Sequence, residues 1–165
     1  GDLIHRLLER LPDLAPTTRH EAAVRMLARE RGLSDEQRDE MIAAALGVLD
    51  DARFAPVFGP GSRAEVAVTG SAPSLPPGVS ISGRMDRLVV TPDRVLVVDY
   101  KTNRPAPGRI EDADPAYVRQ MAAYVAVLKR LYPDRAVEAA LVWTDGPDLM
   151  AVPPELMERA LTPLR

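Results

Sequence analysis

No cysteine occurs anywhere in the 165 residues. That absence removes a disulfide framework, a cysteine nucleophile and a cysteine-bound iron–sulfur cluster. No apolar run approaches the roughly 20 residues that a bilayer-spanning helix needs, and no secretory signal pattern opens the chain. A cytoplasmic protein with no membrane attachment is therefore expected. No Walker A loop is present, so nothing in these residues binds ATP. A large excess of one charge is missing too: the net charge is -3, and any contact with nucleic acid must rest on a local basic patch. Lysine is almost absent. Only Lys101 and Lys129 interrupt a basic set that is otherwise arginine. In such a chain a lysine marks a place where a compact, tunable ammonium is needed rather than a planar, permanently charged fork.

What is present reads as one globular domain over residues 1–165, since hydrophobic residues make up 46%. The opening Gly1-Asp2-Leu3, with no initiator Met, reads as the start of a piece of something longer. Residues 1–58 are helical in pattern. Asp2 is placed to cap a helix carrying Leu3, Leu7, Leu8 and Leu11, which Pro12 ends. Thr17 or Thr18 opens a second helix with Ala22, Val24, Met26 and Leu27 as its apolar positions and Gly32 as its C-cap. Ser34 with Gln37 forms a capping box for a third helix running to about Asp50.

Residues 59–165 read as the core that carries the chemistry. Strand patterns cover 63–69, 80–90, 94–100 and 136–144, and a loop rich in Pro, Ser and Gly separates the first two. Thr91-Pro92-Asp93-Arg94 is a tight turn with Pro in its second position. A helix covers about 115–131, with Tyr117, Met121, Tyr124, Val125 and Leu128 along one side, and a short strand and a helix close the chain. This order describes an α/β domain around a small mixed sheet.

The turn sets up the central argument. If Thr91 faces Arg94, then Asp86 falls directly opposite Asp99. Cross-strand neighbours have Cβ atoms roughly 4.5–5.5 Å apart, and like charges there are destabilising. The strand before Asp99 is Val95-Leu96-Val97-Val98, an apolar run suited to a buried central position. Two carboxylates at its end call for a cation, and hard oxygen ligands suit Mg2+, with Mn2+ as a substitute. Strand alternation puts Val97, Asp99 and Lys101 on one face and Tyr100 on the other. The Lys101 ammonium thus lies beside the carboxylates, placed to orient or deprotonate a water or to stabilise charge on an attacked phosphate. The competing reading is a surface ion pair of Asp99 with Lys101 and of Asp86 with Arg84 or Arg87.

These residues carry a resemblance. Gly83-Arg84-Met85-Asp86-Arg87, followed by Val98-Asp99-Tyr100-Lys101-Thr102-Asn103-Arg104-Pro105, resembles the RecB-type nucleases of the PD-(D/E)XK superfamily. It is most similar to the nuclease domain at the C-terminus of AddA-type helicase–nucleases. The family pattern is G-x-x-D, then D-Y-K-T, then Q-x-x-x-Y, matched last by Gln120 and Tyr124. An early G-x-x-x-H is matched by Gly1 and His5. Met85 stands where the superfamily name has Pro, as is usual in the RecB branch. The resemblance implies a restriction-endonuclease-like core preceded by an N-terminal helical segment. It implies His5, Asp86 and Asp99 as metal ligands, joined by the carbonyl of Val98 or of Tyr100, with Lys101 as the catalytic lysine. Gln120 and Tyr124 would sit at the site edge and contact DNA or Lys101. The implied activity is metal-dependent hydrolysis of DNA, on single strands from a duplex unwound by a helicase domain of the same parent chain. That motor would be the part that uses ATP, the partner an AddB-type subunit, and the role processing of double-strand break ends. AddB-type relatives carry a cysteine-bound iron–sulfur cluster, which this chain cannot hold. The alternatives are an inactive nuclease fold used for binding or scaffolding, which should lack a ligand or the lysine, and a stand-alone RecB-like exonuclease.

Other residues are weaker candidates. Glu65 starts the first strand and could approach the metal, but it is read first as an exposed strand-end residue. Arg104 and Arg109 lie in a loop from which they could grip phosphates. Trp143, the only tryptophan, is read as core rather than as a base-stacking platform, and His20 as solvent-exposed.

Overall fold

The computed structural model describes residues 1–162, so the last three residues of the expected domain lie outside the described part. Five strands form one sheet in the order β1-β2-β3-β4-β5: β1 Ser62–Gly70, β2 Ile81–Val90, β3 Arg94–Lys101, β4 Ala136–Trp143 and β5 Asp148–Ala151. All neighbours are antiparallel except β3 and β4. A parallel pair needs a long crossover, and the chain supplies it as α5, the helix Pro115–Leu131. Asp114 caps that helix by accepting the Ala116 N–H at 2.9 Å, with Pro115 fitting the first turn.

The apolar run of β3 is explained by cover on both faces of the sheet. Val95 and Val97 join one core with Met121, Tyr124, Val125 and Leu128 of α5. Leu96, Val98 and Tyr100 join a second core with Leu7, Leu8 and Leu11, under the N-terminal helices. Those helices are α1 Asp2–Arg10, α2 Arg19–Ala28, α3 Asp35–Leu49 and the short α4 Ala55–Phe58. Each fully buried Leu contributes roughly 1.5–3 kcal/mol, so the helical segment is fixed to the sheet rather than appended to it. The closing helix α6, Pro154–Leu161, packs beside α5. Among the described residues no helix is long and apolar enough to cross a membrane.

Several local expectations are corrected. Gly1, not Asp2, is the N-cap of α1, and Asp2 is its first residue. Helix α2 ends at Ala28, so Gly32, with φ 83°, belongs to the turn beyond it rather than to its cap. The inward face of α2 is Ala23 and Leu27, four residues apart, while Val24 is exposed. With 3.6 residues per turn, the position next to a buried one already points well away from it. The capping box of α3 is present in both directions: Ser34 Oγ accepts the Gln37 N–H at 3.1 Å, and Gln37 Oε1 accepts the Ser34 N–H at 2.9 Å. Glu65 is internal to β1 rather than at its start.

Candidate active site

The β2–β3 ladder runs from Val90↔Val95 to Arg87↔Val98, with the Thr91 N–H bonded to the Arg94 carbonyl at 2.9 Å. The next step of that register is Asp86 and Asp99, and here the backbone ladder stops. Side chains replace it. The Asp86 N–H donates to Asp99 Oδ1 at 3.3 Å, and the Tyr100 N–H donates to Asp86 Oδ2 at 2.8 Å. Each aspartate therefore holds the other's strand, which fixes both carboxylates without a side-chain cation between them.

Asp99 is 4% exposed, at the end of the most buried strand. Burial, and then the charge of Asp86, push its carboxyl up to about 6 from the usual 3.8. Lys101 opposes that shift: its Nζ lies 3.8 Å from Asp99 Oδ2. The same ammonium sits over the ring of Tyr117, 4.0 Å from its centroid. Tyr117 is tied in turn to the loop after β3, donating its hydroxyl to Asn103 Oδ1 at 3.2 Å. Thr144, just past β4, donates its N–H to the Lys101 carbonyl at 3.0 Å.

His5 arrives from α1, on the helical side of the sheet. Its Nδ1 donates to the Gly1 carbonyl at 2.9 Å, which turns Nε2 toward Asp86 Oδ2 at 3.2 Å. The bond to Asp86 is the largest influence on the imidazole and raises its pKa to about 9, against the opposing effect of burial. The Tyr100 side chain lies on this same face, edge-on to His5 with ring centroids 5.7 Å apart, and stacks on Phe58. Burial pushes its hydroxyl up.

Gln120 and Tyr124 reach the opposite side of the pair from α5. Gln120 Nε2 donates to Tyr124 Oη at 3.2 Å, and Tyr124 donates to the Arg84 carbonyl at 3.5 Å. Burial and the charges of Asp99 and Asp86 raise the Tyr124 hydroxyl, so it stands within their field. Gly83 makes this approach possible. A Cβ at that position would lie 2.7 Å from Tyr124 Oη, closer than real Cβ atoms come. Of the two contacts expected of Gln120 and Tyr124, with DNA or with Lys101, no hydrogen bond to Lys101 is formed among the described residues; the ammonium lies instead over Tyr117, near the N-terminal end of α5.

Glu65, read from the sequence first as an exposed strand-end residue, is half-buried and joins the cluster. The β1–β2 pairs Ala64↔Arg87 and Val66↔Met85 leave Glu65 opposite Asp86, so Glu65, Asp86 and Asp99 lie on one line across three strands. Glu65 has φ 53°, a left-handed conformation that costs of order 1–3 kcal/mol in a non-glycine residue. Burial and the charges of Asp86 and Glu9 raise its carboxyl.

Other candidates lie elsewhere. Arg104 pairs with Glu40 at 3.6 Å and Arg109 with Asp112 at 3.4 Å, so both loop arginines already have carboxylate partners. Trp143 is 1% exposed and belongs to the core, and His20 is exposed. The alternative pairing of Asp86 with Arg84 or Arg87 is not what the chain makes; Asp86 bonds to His5, and Arg87 turns toward Ser62 and Leu8.

Among the described residues no three His, Asp or Glu side chains are set as a ready-made metal cage. The donor set nonetheless fits a hard divalent cation. Asp86 and Asp99 offer carboxylate oxygens, one of them raised by burial, and His5 offers a nitrogen now bonded to the same Asp86 oxygen. A cation there would take over the role that the His5 proton plays toward Asp86.

A model of the PD-(D/E)XK nuclease superfamily matches residues 1–162, and the chain belongs to that superfamily. Its members are generally nucleases, hence hydrolases, and typically use divalent metals such as Mg2+. The mixed five-stranded sheet flanked by helices, with an N-terminal helix, agrees with that α/β fold. No curated protein sequence matches the chain significantly. Among solved structures, SSO0001 is similar at 16% identity over 95% of this chain and 71% of that one, with a TM-score of 0.38.

Proposed function

We propose that this chain is a divalent-metal-dependent deoxyribonuclease in which Asp86, Asp99 and His5 hold the metal and Lys101 is the catalytic lysine. The observation that carries this reading is the meeting of Asp86 and Asp99 at the end of a buried strand, with the Lys101 ammonium 3.8 Å from one of them. A bound ion would lower the pKa of a water and offset phosphate charge. Lys101 is placed to orient the attacking water and to stabilise the charge that develops on the phosphate oxygens as the water oxygen bonds to phosphorus and the sugar oxygen leaves. Tyr117 keeps the ammonium from folding back into Asp99. Gln120 and Tyr124 hold the Arg84 backbone, and thereby Asp86, in place.

The finer reading rests on the motifs. The D-Y-K-T-N-R-P string from Asp99 and the Q-x-x-x-Y of α5 support an AddA-like branch. In that reading residues 1–165 form one nuclease domain of a helicase–nuclease, fed with single strands by an ATP-driven motor in the same parent chain. It works with an AddB-type subunit on double-strand break ends, in the cytoplasm.

The test is cleavage of labelled single-stranded DNA with Mg2+ or Mn2+, beside calorimetric titration of each metal. Metal-dependent cutting that disappears in Asp99→Ala and Lys101→Ala, with metal binding abolished only in the former, is the expected result. A protein that neither cuts nor binds metal, alone or in its full-length complex, overturns the reading and leaves a binding module.

A further inference from the structure

One turn beyond His5 along α1, roughly 6 Å in helical rise, an open cleft of about 490 Å3 separates the end of that helix from the start of β1. Its walls include Arg10, Arg63 and Arg87, with Ser62 between them and Glu9 and Asp13 at its sides. We propose that this cleft is a phosphate subsite for the backbone of a single nucleic-acid strand, adjoining the candidate active site. The inference rests on the nuclease reading and names where that strand is held.

Arg87 is the main observation. It directly follows Asp86 and is 2% exposed. Its guanidinium donates to Ser62 Oγ at 2.9 Å and to the Leu8 carbonyl at 3.5 Å, and lies over the Phe58 ring. Neither its Nε nor the buried Tyr100 hydroxyl has an aligned hydrogen-bond partner, although the two groups lie close enough for the guanidinium to favour the ionised phenol. Among the described residues no carboxylate pairs with Arg87. A charge removed from water without a counterion costs several kcal/mol, and buried polar atoms normally find partners. A guanidinium presents a planar set of donors that suits the oxygens of a phosphate.

The cleft mouth repeats the pattern. Arg10 and Arg63 are exposed, and among the described residues neither is within ion-pair distance of a carboxylate, although Glu9 and Asp13 line the same cleft. This contrasts with Arg104 and Arg109, the loop arginines, which are already paired. Arg10 also borders a neighbouring cleft of about 310 Å3, where Arg6 is paired with Glu30 and Arg25 with Glu21, while Arg29 has no carboxylate within ion-pair distance among the described residues. The basic surface therefore continues away from the acidic line of Glu65, Asp86 and Asp99. Arg87 lies with Leu8 and Phe58 on the helical face of the sheet, whereas Lys101 faces Tyr117 of α5, so in this proposal the nucleic-acid strand passes from the Lys101 side of the carboxylate pair to the His5 side. The net charge of -3 makes such a local track necessary, because the molecule as a whole repels a polyanion.

The experiment is fluorescence anisotropy of labelled oligothymidine in Ca2+ across a salt series, beside steady-state cleavage in Mg2+. The surface double variant Arg10→Ala/Arg63→Ala is expected to bind about tenfold more weakly. Its log–log salt slope should shrink by about 0.7 for each phosphate that is no longer neutralised, with KM raised and kcat unchanged. Arg87→Met is expected to behave in the same way, and if it misfolds the surface pair still decides. Unchanged affinity and slope in the double variant, in a protein that cuts DNA, would overturn the subsite and leave the nuclease reading standing. Arginine-dependent binding without cutting under any metal would support the subsite and remove the nuclease reading. Absence of oligothymidine binding by the unmodified protein would remove the subsite, and the nuclease reading would fall with it only if cutting and metal binding were absent too.

Discussion

From Arg87 to Val90, β2 meets β3 in a regular antiparallel ladder of mostly apolar residues closed by a tight turn. One step past Arg87 the same two strands, in the same register, exchange side-chain bonds through Asp86 and Asp99 instead. Toward the turn, burial of Leu88, Val89, Leu96 and Val97 adds stability. The open end is a place where burial works against the residues that are there, since it raises the carboxyls of Asp99 and of Glu65, the latter on a left-handed backbone. The difference teaches that register alone does not decide what a hairpin does. It decides which residues meet, and the chemistry of the meeting pair then decides whether that step supports the fold or a reaction.

Substitutions can break this contrast from either end. The largest effect is expected at the open end: Asp99→Ala or Lys101→Ala should lower cleavage by about a thousandfold, read in a gel assay with thermal melts showing the protein still folded. At the turn end the effect should move to stability. Leu88, 7% exposed, opens a cavity when cut to Ala, and Leu88→Ala should cost about 2–4 kcal/mol in urea unfolding. Its activity per folded molecule should be unchanged; a large activity loss there would erase the distinction.

A third substitution reverses the usual direction. Because the folded carboxyl of Asp99 lies at about 6 and the unfolded one at 3.8, the folded protein holds more protons between those values. Stability of the metal-free protein therefore falls as pH rises from about 4 to about 6, and the cost stays in full above that. Asp99→Asn should accordingly stabilise the chelator-treated protein at pH 7.5 by about 1–3 kcal/mol, and this gain should vanish at pH 4. Equal melting temperatures of the two proteins at both pH values would show that the open end carries no such cost. The smallest expected effect is that of Tyr117→Leu, which removes the ring beneath Lys101 and should lower kcat a few-fold with little change in melting temperature.

How much is legible in the sequence follows from how far each signal travels. The pairing of Asp86 with Asp99 can be read because a short turn at Pro92 fixes the register of the strands on either side. The capping box of Ser34 and Gln37 can be read because it is complete within four residues. Glu65 escapes such reading because a long loop separates β1 from β2, and no turn of that length sets a register. The contact of Tyr117 with Lys101 depends on where the loop after β3 returns the chain, which no local pattern encodes. Arg87 offers itself in the sequence only as a partner for Asp86. Its burial is a tertiary outcome, produced when α1 and α4 close over the end of β2.

His5 and Asp86 come from parts of the chain separated by three helices and a strand, and they meet only when α1 lies on the sheet. In the proposed site His5 thus completes the donor set only on assembly. A chain that has formed its hairpin but not seated its first helix has both carboxylates in place and no imidazole. Under the proposed function, newly made or partly unfolded molecules would lack that donor until the N-terminal helices dock, and cleavage would wait on docking.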